Sequence, residues 1–340
     1  MKYFAVLLLI ALVSCSCKKK NGGVTDTAPT NLTLSAVVSS DNSGNVNFTA
    51  SATNAANYEF DFGNGIFQNV QTGVVTYKYP ASGSYLVKVT AKSAGGLSIS
   101  KSIDITVSVA LTLVWADEFN TSGAPDAAKW VYDIGTGSSG WGNNEAQYYT
   151  NRAENVTISN GTLKITARKE SFSGSNYTSA RIITKDKFSF KYGKVEARAK
   201  LPFGIGTWPA IWMLGNNIST VGWPACGEID IMEHVGSQLN KIYGTVHYPG
   251  NSGGNAVGST VNISNVTSEF HNYAVEWTAS NIRFIVDGVT FFTFNNSSSL
   301  PFNQNFFIIL NVAMGGNFGG TIDPAFNNST MEIDYIRVYQ

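Results

Sequence analysis

The sequence predicts an all-β protein, and three observations carry that prediction. Glycine is abundant, at 33 of 340 residues, and Asn, Ser and Thr are frequent beside it. Such residues supply turns, and many turns mean many short elements. Apolar residues alternate with polar ones over short runs, the period of a strand with one buried face. No helical period of apolar residues persists for long. Apolar residues make up 43% of the chain, enough for ordinary cores, and the length leaves room for two or three domains. Charged residues are 14% and the formal net charge is zero, so no basic surface for nucleic acid is expected.

The first element is a targeting segment, residues 1–14. Lys2 precedes an apolar run from Phe4 to Val13. That run is too short to span a bilayer, which takes about 20 residues. It ends in Leu12-Val13-Ser14-Cys15, which resembles a bacterial lipobox. Cleavage before Cys15 would leave a lipidated cysteine, anchoring the protein to a bacterial membrane, facing the periplasm or the cell surface. The other reading is an ordinary secretory signal. Residues 15–28 read as a polar tether, with Lys18, Lys19 and Lys20 either against anionic lipid or simply solvated. Only Cys15, Cys17 and Cys226 occur, so no disulfide framework is expected. Cys226 reads as a small packing residue.

Residues 29–109 form a small β module. Tyr58-Glu59-Phe60-Asp61-Phe62-Gly63 is an aromatic strand entering a turn, and Tyr79-Pro80 to Tyr85 leads into Leu86-Val87-Lys88-Val89. Ile103, Ile105, Val107 and Val109 share one face. These pieces resemble a polycystic-kidney-disease-type (PKD) domain, a seven-stranded immunoglobulin-like sandwich. Asn64 stands where the family has a second turn acid. Such a module either binds glycan or acts as a spacer.

Residues 111–340 make the larger domain. Leu163, Ile165 and Ala167 alternate with polar residues, as do Val195, Ala197, Ala199 and Leu201. Ile282, Phe284 and Val286 lead to Asp287-Gly288, a two-residue hairpin signal. The physical pattern supports a β-sandwich or barrel.

Within it, Gly227-Glu228-Ile229-Asp230-Ile231-Met232-Glu233 carries three carboxylates in an apolar run. Acids are poorly suited to strand interiors. Alternation puts Glu228 and Asp230 on one face. Glu233 would face the other way unless a β-bulge at Ile231 or Met232 turns it back. All three would then line one groove. Two carboxyls about 5–5.5 Å apart suit a retaining glycosidase. A calcium site or a solvated edge would use the same residue types.

The flanks extend the pattern. Gly204-Ile205-Gly206-Thr207-Trp208-Pro209-Ala210-Ile211-Trp212-Met213 lies upstream, and Trp223-Pro224-Ala225-Cys226 leads into the acids. With Glu-x-Asp-x-x-Glu they resemble glycoside hydrolase family 16, and within it the laminarinases, which are endo-β-1,3-glucanases. The resemblance covers about residues 113–340 and implies a jelly roll of two curved antiparallel sheets. By its pattern Glu228 is the nucleophile, Glu233 the acid/base, and Asp230 holds the pair in register. It implies that Trp208, Trp212 and Trp223 line the cleft, while Trp115, Trp130 and Trp277 stay with the core.

In Trp141-Gly142-Asn143-Asn144-Glu145-Ala146-Gln147-Tyr148-Tyr149, Asn144 is expected to meet a sugar hydroxyl, and Glu145 and Gln147 to orient the loop. Arg181 either bridges cleft and acids or makes a structural ion pair. His247 is expected beside Glu233. No zinc-type cluster appears, and no cofactor is needed for catalysis. The resemblance implies a structural calcium on the convex side, at Asp334 with Glu118 and Gly161. The substrate would be a neutral polysaccharide and the protein a monomer. Mixed-linkage glucan or a galactan is the alternative substrate, and a non-catalytic glycan-binding lipoprotein the alternative class.

Overall fold

Alternation of buried and exposed side chains dictates the architecture of both halves of the chain. The structure, a computed structural model, describes residues 26–340. The expected signal peptide, Cys15, Cys17 and the three lysines lie outside the described residues. The chain divides into two units between Ala110 and Leu111. Asp26, in the expected tether, is tied to the first unit by its side chain. Its carboxylate accepts hydrogen bonds from Ser93 Oγ (2.7 Å) and the Gly95 amide (3.0 Å).

The first unit is two small antiparallel sheets. One orders Thr30–Val38, Asn45–Thr53 and Val74–Lys78. The other orders Phe67–Val70, Asn57–Asp61, Gly83–Lys92 and Ser98–Val107. Phe48, Phe60, Phe62, Tyr79, Val87 and Val89 are fully buried between them. Tyr79 is satisfied by donating to the Phe62 carbonyl, 2.9 Å away. Gly63 closes the aromatic turn with φ near +76° and receives its amide's partner from Asp61. A Cβ there would meet the Leu86 carbonyl oxygen at 2.6 Å, so only glycine fits.

The second unit is a sandwich of a ten-stranded and a seven-stranded sheet. The seven-stranded sheet orders Val257–Asn262, Lys241–His247, Glu228–Glu233, Thr207–Gly215, Phe306–Met314, Arg181–Ile183 and Val131–Asp133. The ten-stranded sheet is built around Thr162–Phe172, Asn328–Tyr339, Gly193–Lys200 and His271–Trp277. Trp130, Trp277, Phe284, Phe306, Ile211, Met213, Ile229 and Met232 fill the space between them. Each contributes about 1.5–3 kcal/mol of burial free energy. Asp287 and Gly288 both have positive φ, at 49° and 80°, so the predicted hairpin closes through a tight primed turn between Val286 and Val289.

The outer face of the ten-stranded sheet is a ladder of paired charges. Lys194 meets Glu196, Arg198 meets Asp334 (2.7 Å) and Lys200 meets Glu332 (2.8 Å). Glu118 is gripped by both arms of Arg337 at 2.8 Å. The three residues expected at a structural calcium lie on or beside this sheet. The carboxylates of Asp334 and Glu118 each already face a different arginine. Gly161 lies in the turn joining Val156–Ser159 to Thr162–Phe172.

Candidate active site

The acid strand owes its geometry to one extra residue. Against Thr207–Gly215, Met232 pairs with Ile211 and Asp230 with Trp212, so Ile231 has no partner. The register against Lys241–His247 shifts at the same place. This is the β-bulge that the acid spacing demanded. Ile229, Ile231 and Met232 turn inward to the core. Glu228, Asp230 and Glu233 all line one cleft of about 850 Å³.

The cleft is aromatic as well as acidic. Trp208 and Trp212 project from one face of their strand, as their spacing predicts, and Trp223 joins them from the preceding loop. Two indoles hold the acids by their ring N–H groups. Trp208 Nε1 donates to Glu233 Oε1 at 2.9 Å, and Trp223 Nε1 donates to Glu228 Oε2. Trp115 packs on the core and Trp130 and Trp277 lie within it, 2% and 1% exposed.

Burial dominates the electrostatics. It raises Glu233 to about 7 and Glu228 to about 8, and holds Asp230 well above the usual carboxylate range. Asp230 and Glu233 are 2% and 9% exposed, whereas Glu228 is only partly buried, so water in the open cleft softens the penalty at Glu228. Glu228 and Asp230 share a hydrogen bond, so a proton lies between them. That bond raises Glu228 and lowers Asp230, the sense of a proton resting on Glu228; against that sense we assign the proton to Asp230, because it is the more deeply buried of the two. It then donates to Glu228, and the Trp223 N–H adds a second donor. Both favour Glu228 as the anion.

His247 sits opposite Glu228 across the strand pair. Its Nε2 is 3.1 Å from Asp230 Oδ2, so it stands beside Asp230 rather than beside Glu233 as the sequence suggested. The register explains this: the bulge carries Glu233 one position further along, opposite Tyr243. Ligand atoms of Glu228, Asp230 and His247 lie within 4.8 Å of one another, a spacing a cation could use. The ring argues against that. His247 Nδ1 accepts the Gly253 amide at 3.1 Å, so the proton of a neutral ring is on Nε2, the nitrogen facing Asp230. A metal would need that lone pair and would break the Gly253 bond, and an imidazole is a poor calcium ligand.

Arg181 lines the cleft without reaching the acids. It pairs with Asp133 at 2.9 Å, and its guanidinium carbon lies 4.6 Å from the Trp141 ring and 4.8 Å from the Trp212 ring. Asn144 corrects an expectation. Its left-handed backbone (φ 57°) turns it outward, where it donates to Asn317 Oδ1 at 2.9 Å. It clasps two loops together, while Asn143 and Asn317 line the cleft. Glu145 and Gln147 bind each other at 2.6 Å. Trp141, Asn311, Asn317 and Phe318 are cleft residues that sequence reasoning missed. Asn311 carried a usable signal, a lone polar residue in the apolar run Phe306–Met314.

The raised carboxyl of Glu233 has a stability consequence. The folded state binds its proton between about pH 4.5 and 7, where the unfolded chain has released it. Stability therefore falls as pH rises through that window and is level above it. Glu233→Gln removes the penalty and keeps an acceptor for Trp208. We expect its thermal midpoint to match the wild type at pH 4 and exceed it by roughly 4–8 °C at pH 8. Calorimetry at both pH values checks this; an equal difference at both would show that Glu233 is not held protonated by burial.

Residues 143–337 match the profile of glycosyl hydrolases family 16, and residues 28–107 match that of the PKD domain. The chain is 45% identical over 245 residues to a beta-glucanase of Rhodothermus marinus, covering 67% of this chain and 85% of that one. Its fold matches the laminarinase structure from Rhodothermus marinus with a TM-score of 0.65 at 44% identity, over 68% of this chain and 98% of the other. It matches the laminarinase from Flavobacterium sp. UMI-01 with a TM-score of 0.63 at 44% identity, over 67% of this chain and all of that one. A bulged acid strand, set in an indole-walled cleft and matched along its whole domain, places this chain in glycosyl hydrolases family 16, behind a PKD domain.

Proposed function

We propose that this protein is an endo-β-1,3-glucanase that cleaves laminarin-type glucan with retention of configuration. The observation that carries the reading is the bulge at Ile231, which brings Glu228 and Glu233 to one face of one strand. Carboxyls about 5–5.5 Å apart leave no room for a water between them, so one must attack directly, and we assign that spacing to this pair. Glu228, held as the anion, attacks the anomeric carbon. Glu233 gives its proton to the leaving glycosidic oxygen, and the sugar becomes esterified to Glu228. Glu233 then takes a proton from water, which displaces Glu228 from the second face. Asp230 tunes Glu228 through their shared proton, and His247 keeps Asp230 in place.

The cleft chemistry suits a neutral polymer. Trp208, Trp212 and Trp223 offer flat apolar faces to sugar C–H groups, and Asn143, Asn311 and Asn317 offer polar groups among them. The substrate assignment further rests on the names borne by the matched relatives.

The test is product analysis on laminarin, lichenan, agarose and carrageenan side by side, with proton NMR of the first-formed anomer. We expect fastest release of oligosaccharides from laminarin and a β-anomer as the first product. Preference for a galactan would overturn the substrate, and an α-anomer would overturn the mechanism.

A further inference from the structure

Trp212 is held by a chain of hydrogen bonds that runs from the cleft wall through a buried amide–phenol link. Its Nε1 donates to Asn311 Oδ1 at 2.7 Å. Asn311 Nδ2 donates to Tyr149 Oη at 3.0 Å. Tyr149 Oη donates to Glu145 Oε2 at 3.1 Å. Glu145 also accepts from Gln147 Nε2 at 2.6 Å and from Asn143 Nδ2 at 3.4 Å. Gln147 in turn accepts the Met314 amide at 2.8 Å, which ties the cluster to the same strand as Asn311.

The direction of the chain follows from donor and acceptor types. An indole N–H can only donate, so the Asn311 oxygen must face Trp212 and its NH₂ must face Tyr149. The tyrosine oxygen is thereby engaged as an acceptor, and its proton goes to Glu145. Every link points toward the carboxylate, so the chain ends on the one group that accepts from three side chains at once. Tyr149 is fully buried and Asn311 is 5% exposed. The Asn311–Tyr149 link is buried, so breaking it strands a polar group away from water, at a cost of about 1–3 kcal/mol. The ring face of Trp212 is fixed independently by Arg181, itself paired with Asp133.

We propose that Tyr149 and Glu145 are positioning residues: through Asn311 they set the orientation of Trp212 and so the strength with which the cleft holds a sugar beside the acids. The proposal builds on the reading of the cleft as a glucan site. Neither residue touches the reacting atoms, so their loss should weaken ground state and transition state alike. That raises KM and spares kcat.

The experiment compares Tyr149→Phe, Glu145→Gln, Trp212→Phe and the double variant Tyr149→Phe/Trp212→Phe with the wild type. The first readout needs no substrate. The Trp212 indole N–H resonance is assigned by its loss in Trp212→Phe, and its hydrogen exchange is measured. We expect exchange at least ten-fold faster in Tyr149→Phe. The second readout is steady-state hydrolysis of soluble β-1,3-glucan. We expect KM to rise about ten-fold with kcat within two-fold, and no further rise when Tyr149→Phe is added to Trp212→Phe.

Wild-type indole protection in folded Tyr149→Phe overturns the proposal whatever polymer the enzyme cuts. So does an additive double variant, or a fall in kcat at constant KM. Should Tyr149→Phe not fold, Glu145→Gln, which keeps volume but puts an NH₂ among donors, carries the same expectations. Altered indole exchange in a protein inactive on β-1,3-glucan would instead refute the substrate assignment and leave the positioning of Trp212 standing.

Discussion

Glu228→Gln is expected to abolish hydrolysis, lowering kcat by roughly ten-thousand-fold or more, with the fold intact. The substitution changes one oxygen to NH₂ and keeps the volume. The remaining oxygen can still accept the Trp223 indole N–H, so that loop stays anchored. What is lost is the anion that attacks. An amide cannot form the glycosyl ester, and the other acids cannot replace it. Asp230 lies deeper, shares its proton with Glu228, and is only 2% exposed. Glu233 is required as a proton donor in the same step. Turnover of soluble β-1,3-glucan, with circular dichroism as the check on folding, decides the matter. Near wild-type turnover by a folded variant would remove Glu228 from the mechanism.

Much of this site was legible because the acids break a rule. Three carboxylates in an apolar strand are costly, and the alternation rule shows that only a bulge reconciles Glu233 with its companions. The sequence calls for a bulge at Ile231 or Met232 on physical grounds, and the strand register puts it at Ile231. That Trp208 and Trp212 share a strand face was legible from their spacing of four, but that this face lines the cleft needed the family resemblance. Positions in irregular segments were harder. Nothing in the order Asn143-Asn144 says which amide faces the cleft; a left-handed residue decides it, and sequence spacing carries no such information. Trp141 reaches the cleft from that same irregular loop and through its contact with Arg181. His247 stands at Asp230 because cross-strand register sets it opposite Glu228, and a motif along one strand carries no such register. The jelly roll needed the family resemblance, since alternation alone does not distinguish it from other sandwiches and barrels.

Glu233→Ala is expected to slow glucan hydrolysis by about a thousand-fold and to be partly rescued by azide. The side chain serves twice. It protonates the glycosidic oxygen as the bond breaks, and it deprotonates water as the ester is released. An activated aryl glycoside needs no proton on its leaving group, so its first step should be nearly normal in the variant. The ester on Glu228 then accumulates, because water without a base attacks slowly. Azide is a strong nucleophile that needs no base, and truncation at Glu233 opens space for it beside Trp208, whose N–H is left without its partner. The product should be a β-glycosyl azide, since a second displacement restores the original face. The pH profile gives an independent check. Burial raises the Glu233 carboxyl to about 7. In the wild type kcat/KM should fall as pH rises past it, when the catalytic proton is lost, and the aryl-glycoside reaction of the variant should lack that fall. An α-glycosyl azide would mean a single displacement and no ester on Glu228. No azide adduct at all, with the alkaline fall unchanged, would mean that another group does the proton transfer.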